Sequence, residues 1–293
     1  LNDVFISKFN SNGVKQWTKL LGVNGSSNDT VGIDIADDDS IYITGNTLGD
    51  LDGEENNGSY DAFISKYNSY GNKQWNKLLG SSEYEFGREL SIGSNGSFYL
   101  TGYTTGDLNG ETNFGEEDAF ISAFNSDGER QWTKLLGTSE EDEGKAIAIS
   151  DEGFIYLLGE TKGDLDGQTN NGSFGSDVFI SRYDSSGTKQ WTKLLGTSSS
   201  DMSGSLSTGS DGSIYICGTA LEDLNGEENN GSYDAFISKY NSEGEIQWTK
   251  LIGSSSDDRG QGITIDNNDS IYLTGYTEGD LNGKSNNGSK DVF

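Results

Sequence analysis

Short apolar stretches alternate with polar turns along the whole chain, and their order returns about every 57 residues. In one complete copy the apolar stretches cover residues 32–36, 40–45, 62–68 and 73–80. Each is rich in β-branched and aromatic residues, is bounded by Asp, Asn, Ser or Gly, and is too short for a typical helix. The pattern predicts four β-strands per copy and no helix.

Five tryptophans mark the repeat and stand 57 to 59 residues apart, at Trp17, Trp75, Trp132, Trp191 and Trp248. Four short strands joined by turns have the length and order of one β-propeller blade, and a solenoid is the alternative. Near-continuous apolar runs such as residues 41–43 fit strands that are covered on both faces. We therefore expect the tryptophans to fill contacts between blades rather than to form a ligand cage.

The predicted fold is all-β: a single β-propeller domain over residues 1–293, built from four-stranded antiparallel blades. The copies are approximately 1–30, 31–87, 88–144, 145–203, 204–260 and 261–293, and the first and last together complete one blade. We expect a five-bladed ring in which the N-terminal third and fourth strands pair with the C-terminal first and second strands. Residues 291–293 begin a further third strand, which disturbs this closure because one blade has room for only one.

The loop between the second and third strands carries oxygen-bearing side chains at alternating positions in each copy. Calcium needs six to eight oxygen ligands, and glycines let a loop turn several of them inward. The sequence therefore predicts Ca²⁺ as a cofactor in these long loops. The candidate ligands, copy by copy, are Asp50, Asp52, Glu54, Asn56 and Asp61; Asp107, Asn109, Glu111, Asn113 and Asp118; Asp164, Asp166, Asn170 and Asp177; Asp223, Asn225, Glu227, Asn229 and Asp234; and Asp280, Asn282, Asn286 and Asp291.

The long loops differ from an EF-hand, since they close with Asp, lack its central glycine and lie between strands. The third copy has two extra residues before Asp177, and the fifth has Lys284 where other copies have an acid, so we expect weaker binding in both. The alternative is that Asp, Asn and Gly only build turns here, with Asn57 and Gly58 in the left-handed region.

Charge and composition exclude several functions. The net charge of −29 comes from 48 acidic and 19 basic residues, so the chain repels nucleic acid and attracts divalent cations. No run of 18 apolar residues occurs, and we expect no membrane insertion. Histidine, the commonest general base, is absent, so we expect no catalytic residues and no enzyme. The single cysteine, Cys217, has apolar neighbours and is predicted to be buried.

The connections from the fourth strand to the next first strand are also acidic, as at residues 139–144 and 255–260. In an antiparallel blade they emerge on the same side as the long loops. We expect a negatively charged face, with the connecting acids mainly solvated.

A family resemblance rests on the string at residues 32–45, on Asp-Ala-Phe-Ile-Ser-Lys-Tyr-Asn at 61–68, and on the Gly-Asn-Lys-Gln-Trp strand that follows. These motifs resemble the bacterial SBBP β-propeller repeat family, and the resemblance covers nearly the whole chain. It implies a propeller in exported or cell-surface proteins, hence an extracellular location, without an assigned enzymatic activity. The family name implies seven blades, whereas this chain has five copies.

These features together favour a non-enzymatic, calcium-binding module that acts in adhesion, assembly or interaction with an unknown protein partner. The alternative is a glycan-binding propeller, in which Asn and Asp side chains hold sugar hydroxyls near the exposed aromatics Tyr60, Tyr84 and Tyr233. A hydrolase or lyase that uses only carboxylates ranks third.

Overall fold

The computed structural model describes residues 3–22, 28–172, 175–266 and 268–293, with side chains from residue 32 onward in the second range. These residues form 21 strands, and none of them lies in a helix that could cross a membrane. The chain divides into two compact units, Leu1–Leu136 and Gly137–Phe293. The prediction of a single domain is not tested by this division and stays a prediction.

Unit 1 contains three antiparallel sheets. The first pairs β1 (Val4–Phe9) with β2 (Lys15–Leu21). The second has the order β3 (Asn28–Ile35), β4 (Ile41–Thr47), β5 (Asp61–Tyr67), β6 (Lys73–Leu79). The third has the order β7 (Glu85–Ile92), β8 (Phe98–Thr104), β9 (Asp118–Phe124), β10 (Arg130–Leu136).

Unit 2 also contains three antiparallel sheets. The first has the order β11 (Asp142–Ile149), β12 (Ile155–Thr161), β13 (Asp177–Tyr183), β14 (Lys189–Leu195). The second has the order β15 (Met202–Thr208), β16 (Ile214–Ala220), β17 (Asp234–Tyr240), β18 (Ile246–Ile252). The third has β19 (Asp258–Ile265), β20 (Ile271–Thr277) and β21 (Asp291–Val292).

The predicted blade is confirmed, because four sheets have four antiparallel strands in chain order. Every residue of strands β4 and β9 is buried, as the continuous apolar runs predict. In unit 1, Tyr42, Ile64, Leu100 and Phe120 share one core that joins two consecutive blades. Burial of these apolar side chains between blades is the main stabilising term for such a sheet stack.

Tryptophans fill contacts between consecutive blades, as predicted. In unit 1 the Trp75 ring stacks on Phe98 of the next blade at 6.0 Å and meets Tyr42 edge-on at 5.8 Å. In unit 2 the Trp191 Nε1 donates a hydrogen bond of 3.2 Å to the Ser242 carbonyl of the following blade. Both contacts combine apolar area with a fixed ring geometry.

The predicted closure of a five-bladed ring through terminal strand pairing is not confirmed. In unit 2, β21 pairs with β20, and the Phe293 N–H donates to the Gly275 carbonyl at 3.1 Å. The third-strand position beside β20 is thus taken by the next segment of the chain. A strand that follows through one short loop pairs at a smaller entropic cost than a strand from the other end of the chain.

A buried leucine anchors the start of every long loop. Its exposed fraction is at most 7%, at Leu51, Leu108, Leu165, Leu224 and Leu281. The side chain extends the core under a loop that is otherwise polar.

We predict that Leu108→Ala lowers the free energy of unfolding by about 2 to 5 kcal/mol, because it leaves a cavity under the loop. Leu48→Ala is the matched control, since Leu48 precedes a long loop but is 42% exposed, and its effect should stay within about 0.5 kcal/mol. Urea unfolding followed by tryptophan fluorescence measures both. Equal losses in the two variants would contradict the anchoring role.

Candidate functional site

Each long loop begins with a two-residue hairpin turn. In the first complete copy, Leu51 and Glu54 exchange backbone hydrogen bonds of 3.0 and 3.1 Å. Asp52 and Gly53 both have positive φ, 50° and 93°. Two residues with positive φ define a type I′ turn, for which Asp-Gly and Asn-Gly are preferred. The same residue has positive φ in the other copies, at Asn109, Asp166, Asn225 and Asn282.

The predicted left-handed positions at Asn57 and Gly58 are therefore wrong, because the left-handed pair lies at Asp52 and Gly53. Gly58 serves another purpose. A Cβ at Gly58 would come within 2.5 Å of the Ser81 carbonyl oxygen, so the residue allows close approach of two backbones.

The first and fourth candidate ligands of each loop hold the loop closed. The Asp50 Oδ1 accepts a hydrogen bond of 3.0 Å from the Asn56 N–H, and the Asn56 amide donates to the Thr47 carbonyl at 3.1 Å. The equivalent bond from Asn to Asp recurs in all four other copies, at Asp107, Asp164, Asp223 and Asp280, with lengths of 2.9 to 3.0 Å. Side chains of this type mimic backbone in turns.

The second and third candidate ligands contact the neighbouring fourth strand. Asn76 donates to the Asp52 Oδ2 at 2.9 Å, and the Lys77 ammonium lies 3.1 Å from the Glu54 carboxylate. Lysines pair in the same way with Glu111 at 2.8 Å and with Glu227 at 2.6 Å, and another lysine pairs with Asp166. Such exposed pairs contribute little stability, about 0 to 1 kcal/mol.

The closing aspartate is the buried member of the set. Asp61, Asp118, Asp177 and Asp234 are 0% exposed, whereas Asp291 is partly exposed. In each case the Oδ2 accepts a backbone N–H from the loop, as from Asn57 to Asp61 at 3.1 Å. Burial raises the pKa of Asp61, Asp177 and Asp234 above the ordinary value.

The structure thus brings the candidate ligands into one loop but directs them to different partners. Within the described ranges, no three His, Cys, Asp or Glu side chains form a group that could hold a metal ion. Calcium would have to replace existing hydrogen bonds and recruit backbone or amide oxygens. Calcium binding by the long loops therefore stays a prediction.

A second set of acidic residues is buried, which the sequence did not lead us to expect. Glu85, Asp142, Asp201 and Asp258 each begin or immediately precede a first strand and are 0% exposed, although we expected the connecting acids to be mainly solvated. Their shared signal is a Gly-Ser or Gly-Thr pair, three residues and then the acid. The N–H of Glu85 donates to the Tyr60 carbonyl at 2.7 Å. The connecting loop and the long loop therefore meet, and one acid of the connection is enclosed.

Four aromatic side chains of unit 1, Tyr60, Tyr84, Phe86 and Tyr103, form an aromatic patch beside this junction. Phe86 stacks on Tyr103 at 5.0 Å, lies 5.1 Å from Tyr60, and is parallel to Tyr84 at 6.4 Å. Tyr84 is 43% exposed, and the other three are half-buried. The Arg88 guanidinium lies 5.2 Å from the Tyr103 ring centroid. The patch gathers two of the aromatics named for glycan binding.

The same four positions carry different chemistry in unit 2. One set is Ser176, Ser200, Met202 and Thr219, and the other is Tyr233, Asp257, Arg259 and Tyr276. In the second set the Arg259 guanidinium lies 4.2 Å from the Tyr233 ring centroid. The copies therefore differ at these positions, while the strands, loop turns and buried acids around them are retained.

The fold is all-β and repeats four-stranded antiparallel sheets of the kind that form propeller blades, with similar junctions between consecutive sheets. Two segments, residues 131–166 and 247–282, match the family described as SBBP, beta-propeller repeat. The match confirms the resemblance inferred from the motifs, and the chain carries SBBP-type repeats.

Three known proteins are similar to the chain at low sequence identity. "Regulatory protein FlaEY" of Caulobacter vibrioides is 25% identical over 272 residues, which cover 82% of this chain and 28% of that protein. A solved protein of unknown function from Dyadobacter fermentans is 12% identical with a TM-score of 0.54, and the alignment covers 92% of this chain and 75% of that chain. The latter likeness concerns the fold alone. A protein of unknown function from Bacteroides caccae is 12% identical with a TM-score of 0.43, over 83% and 73% of the two chains.

The type I′ turn predicts a steric test at Asn282, whose φ is 49°. Asn282→Val should lower the free energy of unfolding by about 1 to 2 kcal/mol, because a β-branched residue is strained in the left-handed region. Asn282→Gly should be close to neutral. Thermal unfolding monitored by circular dichroism compares the three proteins. A valine variant as stable as the glycine variant would contradict the assignment.

Proposed function

We propose that the chain is a non-enzymatic binding module of a secreted or cell-surface bacterial protein, acting in adhesion or assembly. The observation that carries this proposal is that the strands, loop turns and buried acids are retained from copy to copy, whereas the four positions of the aromatic patch change. Aromatic, aliphatic and charged side chains stand there on equivalent strands. Variation confined to one part of a rigid scaffold is typical of recognition surfaces.

The state of the carboxylates supports a role without catalysis. Apart from the partly exposed Asp291, the acids at the start of the described first and third strands have no exposed surface, so a substrate has no access to them. They are Asp61, Glu85, Asp118, Asp142, Asp177, Asp201, Asp234 and Asp258. The acids in the long loops are held by backbone amides and lysines. A carboxylate hydrolase needs two accessible carboxyl groups on either side of its substrate.

The relatives also favour a module within a larger protein. The chain spans 28% of the length of the Caulobacter regulatory protein. A binding module that forms one part of a larger protein is consistent with this partial coverage. The extracellular location rests on the family resemblance.

Carbohydrate is the ligand class that the aromatic patch supports. Pyranose rings present apolar C–H faces that pack on aromatic side chains, and their hydroxyls need hydrogen-bonding groups at the rim. Tyr84 offers an exposed ring, and the Thr105 hydroxyl, which accepts from the Tyr84 N–H at 3.1 Å, lies beside it. The charge of −29 disfavours anionic sugars. A neutral glycan is therefore the favoured second candidate.

A glycan array with the purified chain tests the carbohydrate ligand. We expect binding of neutral glycans that Tyr84→Ser weakens about 10-fold or more, because the ring loses its contact area. Tyr70→Ser is the matched control, since Tyr70 is a 76% exposed tyrosine of the same unit outside the patch. An array without signal, or equal loss in both variants, would count against glycan binding at the patch.

Calorimetric titration with Ca²⁺ tests the long loops. If the long loops bind Ca²⁺, we expect a Kd of about 0.1 to 1 mM and a rise in Tm when calcium is added. Asp223→Asn should reduce both effects, because asparagine can still accept the hydrogen bond from Asn229 but lacks the charge. No heat and no change in Tm would leave the loops as hydrogen-bonded turns and would not affect the glycan test.

A further inference from the structure

Two backbone hydrogen bonds gather charged and aromatic side chains at one blade junction of unit 2. The Asp258 N–H donates to the Tyr233 carbonyl at 2.7 Å, and the Glu278 N–H donates to the Asp257 carbonyl at 2.8 Å. These bonds bring the end of one long loop, a connecting loop and the end of β20 together. The side chains there form a charged–aromatic patch, whose members are Tyr233, Asp257, Arg259, Tyr276, Glu278 and Lys290.

Each cation of the charged–aromatic patch lies against a tyrosine ring. The Arg259 guanidinium is 4.2 Å from the Tyr233 ring centroid, and the Lys290 ammonium is 4.2 Å from the Tyr276 ring centroid. Arg259 and Tyr276 are also cross-strand partners on β19 and β20, so their side chains lie on one face of the sheet. Cation–π contacts of this kind hold the positive charges in place without neutralising them.

The Arg259 guanidinium uses little of its hydrogen-bonding capacity. Its Nη1 donates to the Met202 sulfur at 3.4 Å, and a thioether is a weak acceptor. Its Nη2 lies 3.9 Å from the Asp257 Oδ2, which is too far for a direct hydrogen bond. The Nε is buried and has no hydrogen-bond partner among the described residues. Since an arginine carries five N–H donors, a ligand that supplies acceptors improves on this arrangement.

The charged side chains of the patch are accessible to a ligand. The side chains of Arg259 and Asp257 are 27% and 29% exposed. In a second ion pair the Lys290 ammonium lies 3.4 Å from the Glu278 carboxylate, and these side chains are 53% and 37% exposed. Exposed ion pairs are weak, so a ligand separates their members at small cost.

A ligand hydroxyl fits the gap between Arg259 and Asp257. One oxygen can lie at a hydrogen-bond distance of about 2.8 Å from both atoms of this pair. A hydroxyl is a donor and an acceptor at once, so it donates to the carboxylate and accepts from the guanidinium. The pair of Lys290 and Glu278 offers the same combination to a second hydroxyl. Two such pairs match a ligand with several hydroxyls, which is the pattern of a sugar.

The charges of the patch favour a neutral ligand. Asp257 and Glu278 repel an anion, and Arg259 and Lys290 repel a cation, whereas a hydroxyl binds to groups of both signs. The net charge of −29 on the whole chain adds to the repulsion of anions.

We propose that the charged–aromatic patch is a second binding site for neutral carbohydrate, which it holds through sugar hydroxyls. The site rests on the proposed function, because it extends carbohydrate binding from the aromatic patch of unit 1 to unit 2. The mode of binding differs, since Tyr84 presents an exposed ring to a sugar, whereas Tyr233 and Tyr276 carry cations. The two sites therefore select different glycans. Two sites on one chain also raise its avidity for a surface that displays both ligands.

The experiment is a glycan array with three forms of the full chain, all of which carry Tyr84→Ser to disable the aromatic patch. One form has no further change, one adds Arg259→Gln, and the matched control adds Arg130→Gln. Arg130 is an exposed arginine of β10 outside both patches, so the control makes the same change of charge. We expect the first form to bind a set of neutral glycans. Arg259→Gln should weaken this binding about 10-fold, because a charge-assisted hydrogen bond is lost, and Arg130→Gln should leave it unchanged.

Asp257→Ala tests the same gap from its other side. It removes the acceptor for the bridging hydroxyl and truncates a partly exposed side chain. It should weaken the same glycans by a similar factor. Melting curves followed by circular dichroism verify that each variant is folded under the conditions of the array.

The outcomes separate the second site from the proposed function. Binding by the parent chain that Tyr84→Ser abolishes completely would overturn the second site and leave carbohydrate binding at the aromatic patch intact. An array without signal for every form, the parent included, would overturn both. Binding that survives Arg259→Gln and Asp257→Ala would place the glycan elsewhere and overturn the proposal. Preferential binding of sialylated or sulfated glycans that Arg259→Gln abolishes would also overturn it, because the patch would then be an anion site.

Discussion

The backbone hydrogen bond between consecutive blades is the contact on which the other features of the repeat depend. In unit 2 the donor is the backbone N–H of the acid at the start of a first strand, or just before it. The acceptor is the carbonyl of the residue just before a third strand, as in the bond from Asp201 to Ser176. It fixes where the next first strand crosses the preceding blade. It also encloses two carboxylates at the crossing and requires a glycine such as Gly196 beside them. A polar bond at this place is strong because the surrounding blades exclude water.

The oxygen-rich long loop follows from the same geometry. The chain must leave a second strand, turn back and enter a third strand at the junction. A type I′ turn at Asp52 and Gly53 and a bond from Asn56 to Asp50 make the reversal, and Asp61 ties the loop to the sheet. Each step selects Asp or Asn for a local reason. The alternating oxygens that suggest a metal site also arise from this turn chemistry, so spacing alone does not separate the two explanations.

The strands and their apolar contacts were predictable from the sequence, whereas the surroundings of individual polar residues were not. The strands, their order and the tryptophan contacts followed from apolar runs and period, because these report burial directly. The left-handed residues were misplaced, because Asn57-Gly58 and Asp52-Gly53 are equally good turn signals. The expectation that the connecting acids are solvated was wrong for Asp142 and Asp258, because the sequence of an acidic loop is the same whether or not a neighbouring blade covers one of its residues. The predicted ring closure is not confirmed, since β21 pairs with β20, and the sequence offered two strands for that edge that differ only in the length of their connection.

The strand period explains how the copies vary in chemistry without loss of the scaffold. Successive side chains of a strand point to opposite faces, so the residues on either side of a buried acid face away from it. Ser200 and Met202 flank Asp201, as Tyr84 and Phe86 flank Glu85. The buried acid keeps the register of the first strand, and its neighbours are free to change. The buried acid and the variable side chains therefore lie on opposite faces of the same few residues, so the positions of the proposed ligand surface can change while the acid stays enclosed.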